Sequence, residues 1–265
     1  MAIDSHCHLD DAAFAADRGQ VLQRARWAGV QGIVVPAYKA AYFARLADCC
    51  AQPSSLKLWP AYGLHPCYIH EHSEVHLQEL EHYLESSPAV ALGEIGLDRY
   101  LPALREPDRW RQQQELFAAQ LQLAERHRRP VIIHARHAYA EVISLLRRHR
   151  PVSGIVHAFN GRPEQAYDLL DLGLVLGIGG VIAQAQAHRL RDIVRRLPEE
   201  AWVLETDAPD MLPYSAYRRG WRRNEPVLLY ENARLLAQAL NRPLRAVMAQ
   251  AEQNTRRILR LPAQC

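Results

Sequence analysis

His6 and His8 stand two residues apart in "MAIDSHCHLDD" at the start of the chain. The alternation over "AIDSH" is that of a short strand, and in a strand residues i and i+2 point to the same face. The two imidazoles are therefore expected side by side, aimed at one spot, with Cys7 turned the other way toward a helical layer and inert. Neutral imidazole is the commonest metal ligand, so the question is what else can converge on that spot. The candidates are His65 in "GLHP", Glu94 in "GEIGLD", His134 in "IIHAR", His157 in "VHAF" and Asp207 in "ETDAP". Each alone has an ordinary reading: a packed strand-end imidazole, a buried ion-pair partner, a turn-forming aspartate. Charged groups are rarely buried unless paired or metal-bound, and this many together point to a metal centre.

The elements that must position these groups are short apolar runs alternating with helical patterns. The runs are "AIDSH", "GIVVPA" from Gly32, "LKLWPAYG" from Leu56, "AVALGEIG" from Ala89, "PVIIHA" from Pro130, "GIVHAF" from Gly154, "LVLGIGG" from Leu174 and "AWVLETD" from Ala201. Helical patterns lie between them, as in "DRGQVLQRARWAG", "RWRQQQELFAAQLQLAERH", "AYAEVISLLRRH" and "PEQAYDLLDLG". The last of these has Pro at its start and Gly just past its end, as helices prefer. More helix is expected from about Glu225 to Leu259. Strands apolar on both faces, each followed by a helix, indicate parallel βα units. Eight such units in 265 residues fit a closed (β/α)8 TIM barrel. A doubly wound sheet would carry a glycine-rich loop after its first strand, and "SHCHLDD" is not one. No linker, repeat or low-complexity segment divides the chain, so residues 1–265 read as one domain.

In such a barrel chemistry sits at the C-terminal ends of the strands. His6, His8, Glu94, His134, His157 and Asp207 all reach that rim, with His65 beside them. Six ligands are too many for one four-coordinate zinc and suit two cations sharing a carboxylate. Glu94 is the expected bridge, because strand four lies between the strand-one/eight side and the strand-five/six side. Lys39 and Lys57 are the only lysines and lie on neither strand four nor strand five, which excludes a lysine-derived bridge. His70, His72 and His76 in "HEHSEVH" are expected to face solvent. Glu205 is expected to hydrogen-bond in the core, and Asn224 and Glu225 in "RNEP" to cap the following helix.

The bulk numbers are those of a soluble globular protein, 49% hydrophobic and 23% charged, with a formal net charge of +3. That balance permits an anionic substrate without a broad basic face. No run of about 18 apolar residues suggests a membrane span. Five cysteines without a paired framework, and no secretory signal at the start, lead to an expected cytoplasmic location.

Taken in order, "DSHCHLD", "GLHP", "GEIGLD", "PVIIHAR", "VHAFNG", "LETDAPDM", "RNEP" and "NTRRIL" resemble the TatD family of metal-dependent hydrolases, described as deoxyribonucleases within the amidohydrolase-like barrels. The resemblance runs nearly end to end. It implies a first metal held by His6, His8, Glu94 and Asp207, and a second held by Glu94, His134 and His157. Two departures stand out: Ala135 where the family commonly has serine after the strand-five histidine, and Arg99 where an aromatic often follows "GLD". Neither touches a proposed ligand.

The expected function is a two-metal hydrolase of phosphodiester bonds, an exodeoxyribonuclease on single-stranded or frayed DNA ends, with RNA as a further substrate. The 3′ to 5′ polarity comes from the resemblance alone. Asp207 would take the nucleophile's proton, Arg136 would hold a phosphate in bidentate fashion, and His65 would donate to a phosphate oxygen or the leaving group. With Glu94, these are the expected catalytic and substrate-binding residues. The alternative in the same site is hydrolysis of another ester or an amide, such as aminoacyl-tRNA. A silent binding protein with a structural metal is disfavoured, since ligands spread over five strands leave open coordination positions. The cofactors are two divalent ions, with zinc, manganese, nickel and magnesium all compatible with such donors. No membrane association and no obligate protein partner are expected.

Overall fold

Eight parallel strands run in the order β1 to β8 around the sheet, each paired with its sequence neighbour. The computed structural model describes residues 1–184 and 186–262. The strands are β1 (Ala2–Asp4), β2 (Val30–Pro36), β3 (Lys57–Tyr62), β4 (Ala91–Asp98), β5 (Val131–Arg136), β6 (Gly154–Val156), β7 (Leu174–Ile178) and β8 (Trp202–Leu204). The helices are α1 (Arg18–Trp27), α2 (Phe43–Ala51), α3 (Glu74–Ser86), α4 (Pro107–Arg126), α5 (Tyr139–Arg148), α6 (Pro163–Asp171), α7 (His188–Val194), α8 (Tyr214–Arg218), α9 (Leu229–Leu240) and α10 (Leu244–Ile258). The helices expected after Glu225 are α9 and α10. The expected (β/α)8 barrel is the one formed.

Each strand sends one apolar face inward. Ile3, Val34, Ala61, Ala91, Ile132, Ile155, Val175 and Val203 meet along the axis, where Trp59 adds bulk and Ile258, Leu259 and Leu261 close the floor. The opposite faces pack against the helices in a larger core that contains Cys7. Cys7, Cys49, Cys50 and Cys67 are free, and Cys265 lies outside the described residues.

Two departures from regular strand geometry deliver the rim groups. β1 ends at Asp4 rather than running to His6. The Asp4 carboxylate takes over the pairing there. Its Oδ1 accepts the amides of His6 (3.3 Å) and Thr206 (3.0 Å), and its Oδ2 accepts the Thr206 hydroxyl (2.6 Å). With the Ser5 amide donating to the Leu204 carbonyl at 3.0 Å, these bonds join β8 to β1 and close the ring. In β4 the register against β5 slips between Leu92 and Ile95, so that three steps on β4 match two on β5. Such a bulge reverses the side-chain alternation and re-aims the residues beyond it. Ala91 faces the axis before it; after it Ile95 and Leu97 turn to the helices, which leaves Glu94 and Asp98 facing inward.

Candidate active site

The structure brings all six expected ligands to one point at the C-terminal mouth. His6 Nε2 lies 3.2 Å from His8 Nε2, 3.2 Å from Glu94 Oε2 and 3.4 Å from Asp207 Oδ1. His8 Nε2 lies 3.5 Å from Glu94 Oε2 and 3.6 Å from Asp207 Oδ1. Donor atoms about 2.1 Å from a tetrahedral cation stand about 3.4 Å from one another, so these four atoms already have the spacing of a coordination shell. The other carboxylate oxygen of Glu94 belongs to a second group. Its Oε1 is 3.1 Å from His134 Nδ1 and 2.8 Å from His157 Nε2, and those two nitrogens are 3.2 Å apart. The donor types and spacings of both groups fit divalent metal ions.

Two of the imidazoles are oriented by partners behind them, while Nδ1 of His6 and of His157 has no hydrogen-bond partner among the described residues. Nδ1–H of His8 donates to the Pro36 carbonyl at 3.0 Å, which leaves Nε2 free as a donor of electrons. Nε2–H of His134 donates to Asp98 Oδ2 at 3.0 Å, which turns Nδ1 toward Glu94. Asp98 is fully buried and also accepts the Tyr100 amide. Burial alone would raise its pKa, but the His134 hydrogen bond outweighs this and holds it down at about 2. His65 is different. Its Nδ1 accepts the Cys67 amide at 3.1 Å, so the neutral ring carries its proton on Nε2, 3.2 Å from Glu94 Oε1. Burial pushes its pKa down and keeps it neutral. His65 is thus a hydrogen-bond donor at the edge of the second group.

Asp98 was not among the expected residues, although it shares the Glu94 face four residues on. Tyr38 was also missed; it stacks on His8 with ring centroids 4.0 Å apart and forms a wall of the mouth. Two expectations need correction. His72 does not face solvent: it is partly buried, its Nε2 lies 2.9 Å from the His65 carbonyl oxygen, and burial lowers its pKa to about 4. Asn224 and Glu225 do not cap a helix with their side chains. The Asn224 amide instead donates to the carbonyls of Thr206 (2.8 Å) and Asp210 (2.7 Å), and Glu225 pairs with Arg24 and Arg223. Glu205 is fully buried as expected. Its Oε1 accepts the Ala158 amide at 2.5 Å and lies 3.9 Å from His157 Nδ1. Arg136 is exposed at the end of β5, with its guanidinium over the Tyr100 ring at 3.6 Å.

The buried charges make stability depend on pH in a definite direction. Burial raises Glu205 to about 8 and Asp4 to about 7. For His157 burial opposes protonation, but the Glu94 charge prevails and lifts it to about 10. A group whose pKa is raised by folding stabilises most below its unfolded value and loses that contribution as pH rises through the folded value. All three act in one sense: Asp4 and Glu205 lose their contributions between about pH 4 and 8, and His157 between about 6.5 and 10. The chelator-treated protein is therefore expected to lose thermal stability from about pH 6.5 to 10, mainly through His157 with the last of the Glu205 contribution. Scanning calorimetry across that range checks this, and a melting temperature that stays level or climbs would contradict it.

The TatD related DNase family matches residues 3–260 of the chain. An uncharacterized metal-dependent hydrolase of Escherichia coli, YjjV, is 42% identical over 214 residues, 79% of this chain and 80% of that protein. The 3′-5′ ssDNA/RNA exonuclease TatD of Erwinia billingiae is 33% identical over 264 residues, 98% and 99% of the two chains. The crystal structure of E. coli YjjV superposes with a TM-score of 0.89 at 36% identity, covering 98% of each chain. A bulged β4 carrying a shared carboxylate, an imidazole pair beyond β1 and this match over nearly the whole length agree: the chain belongs to the TatD-related family of metal-dependent hydrolases and is an enzyme of that class.

Proposed function

We propose that the chain is a two-metal phosphodiesterase that trims single-stranded DNA, and RNA of like form, from an end in the 3′ to 5′ direction. The observation that carries this reading is the division of Glu94: each carboxylate oxygen faces its own set of donors at coordination spacing. His6, His8, Glu94 and Asp207 would hold one ion, and Glu94, His134 and His157 the other. Two bound cations supply Lewis-acid polarisation of a phosphoryl oxygen and a water acidified toward neutrality. The substrate class is supported by relatives named as single-strand exonucleases.

The chain's own residues do the rest. The Asp207 side chain is 14% exposed against 3% for Glu94, so it is the site carboxylate nearer the incoming nucleophile and takes its proton. Asp207 also sits in the left-handed region at φ 61°, a conformation held here by its amide bond to the His6 carbonyl at 2.8 Å. The Nε2–H of His65 donates to a phosphate oxygen or to the leaving oxygen. Arg136 lies near Asp98 but forms no ion pair within 4 Å among the described residues, and can grip a phosphate with two parallel N–H groups. Tyr38 walls the mouth and excludes water.

A mouth ringed by loops admits an end more readily than a continuous strand. Metal-reconstituted protein is therefore expected to degrade a linear single strand and to leave a covalently closed circle of the same sequence intact. Gel analysis of the two substrates tests this. Equal cleavage of the circle would rule out an end-dependent enzyme.

A further inference from the structure

The connection from β8 to α9 begins at the site carboxylate Asp207 and runs along the same rim. Asn224 ties its return to its start: its side chain holds the Thr206 and Asp210 carbonyls, and its amide donates to the Pro209 carbonyl at 3.1 Å. Residues 211–223 thus form an excursion rooted beside the metal-facing groups. It carries "MLPYSAYRRGWRR" and contains α8. Ala216 and Pro213 bury the inner side of α8, and the Ser215 hydroxyl donates to Glu231 at 2.8 Å, which fixes α8 on the first turn of α9.

The outer side is left to solvent. Tyr214 and Tyr217 are 63% and 53% exposed, and their rings lie nearly parallel, 23° apart, with centroids separated by 6.4 Å. The Arg222 guanidinium lies over the Tyr217 ring at 5.1 Å and, among the described residues, bonds only to backbone carbonyls. Arg218 has no carboxylate partner among the described residues. Three carboxylates of this region are already matched: Glu231 with Arg219 and Arg234, Asp17 with Arg24 and Arg223, Glu225 with the same two arginines. Exposed aromatic faces interleaved with unneutralised arginines suit bases and phosphates rather than an apolar protein face. Tyr214 is seven residues past Asp207, at most about 25 Å of extended chain away.

We infer that Tyr214, Tyr217, Arg218 and Arg222 form a platform on which the bases of a single-stranded nucleic acid stack while its end lies at the metal-facing groups. This rests on the phosphodiesterase reading and adds to it a grip on the strand away from the scissile linkage. The platform serves any base, since every base has a stacking face, so it confers length preference without sequence preference.

The test compares a long single strand with a dinucleotide, in DNA and RNA forms, using metal-reconstituted protein. In Tyr214→Ala/Tyr217→Ala the KM for the long strand is expected to rise at least about tenfold, with dinucleotide turnover unchanged. Tyr214→Phe/Tyr217→Phe, which keeps both rings, is expected to restore the long-strand KM. Arg218→Gln/Arg222→Gln is expected to lower the slope of log KM against log salt by about 1.4, some 0.7 for each lost phosphate contact. A long-strand KM unchanged in the alanine variant, while the wild type degrades that strand, overturns the platform and leaves the phosphodiesterase reading standing. Wild-type protein that cleaves neither the long strand nor the dinucleotide overturns both.

Discussion

Glu94→Gln is expected to reduce phosphodiester turnover by at least about 10³-fold, the equivalent of roughly 4 kcal/mol of barrier, and to strip metal from both positions at once. The substitution keeps the shape of the side chain and removes a charge that faces His6 and His8 through one oxygen and His134 and His157 through the other. Burial works against ionised Glu94, yet the surrounding imidazoles hold it well below the ordinary carboxylate range, so the negative charge is built into the site. An amide cannot supply it, and one end of the amide would present N–H to donor nitrogens. His6→Ala, by contrast, touches only the group on the β1 side. Elemental analysis should give about two ions per chain for the wild type. It should show a loss from one position in His6→Ala and from both in Glu94→Gln. Near-normal metal content with most of the activity kept in Glu94→Gln would mean that the bridge lies elsewhere.

Gly96→Ala is expected to destabilise the chain by about 3–5 kcal/mol, the sum of backbone strain and overpacking against atoms that cannot move aside. Gly96 has φ 139°, where a side chain is strained whatever the space around it. It pairs with His134 across β4 and β5. A Cβ there would overlap the His134 carbonyl oxygen and lie 2.9 Å from the carbonyl carbon and 3.0 Å from the amide nitrogen. Relief would have to shift β5 at the residue that turns Nδ1 toward Glu94, so the second group should lose metal affinity as well. Gly19→Ala is the control, since nothing lies within 4 Å of a Cβ at that position in α1. It should be stabilising by about 0.5–1 kcal/mol. Denaturant unfolding of the two variants beside the wild type measures both, and equal stability of Gly96→Ala and wild type would refute the steric account.

Much of the barrel could be read from apolar runs punctuated by helical patterns, because parallel strands covered on both faces leave that signature. The His6–His8 pair converges as its spacing requires, although the strand stops at Asp4 and the Asp4 carboxylate replaces the ladder there. Glu94 is a harder case. Strict alternation from inward-facing Ala91 would send it outward, and only the bulge at Gly93–Glu94 brings it in; its type and neighbours marked it, while its direction was not legible. Asp98 escaped notice because a ligand search weighs first donors and passes over the carboxylate that orients one of them. His72 and Asn224 were misplaced for a related reason. Both bond to backbone carbonyls far along the chain or across a loop, and local pattern carries no trace of such partners. Arg136 and His65 lie at the mouth, where their spacing from the strand ends puts them.

The seam between β8 and β1 has a consequence for how the chain assembles. Asp4 and Thr206 are joined across 202 positions, and His6, His8 and Asp207 stand on the two sides of that join. β1 pairs with β2 about 30 residues on, but its other edge must wait for β8, a contact of very high sequence separation and therefore slow to form. Until the ring shuts, the two histidines have no opposing aspartate. A cation site built from His6, His8 and Asp207 would therefore exist only once the ring has shut, so metal affinity at that position would report closure of the barrel.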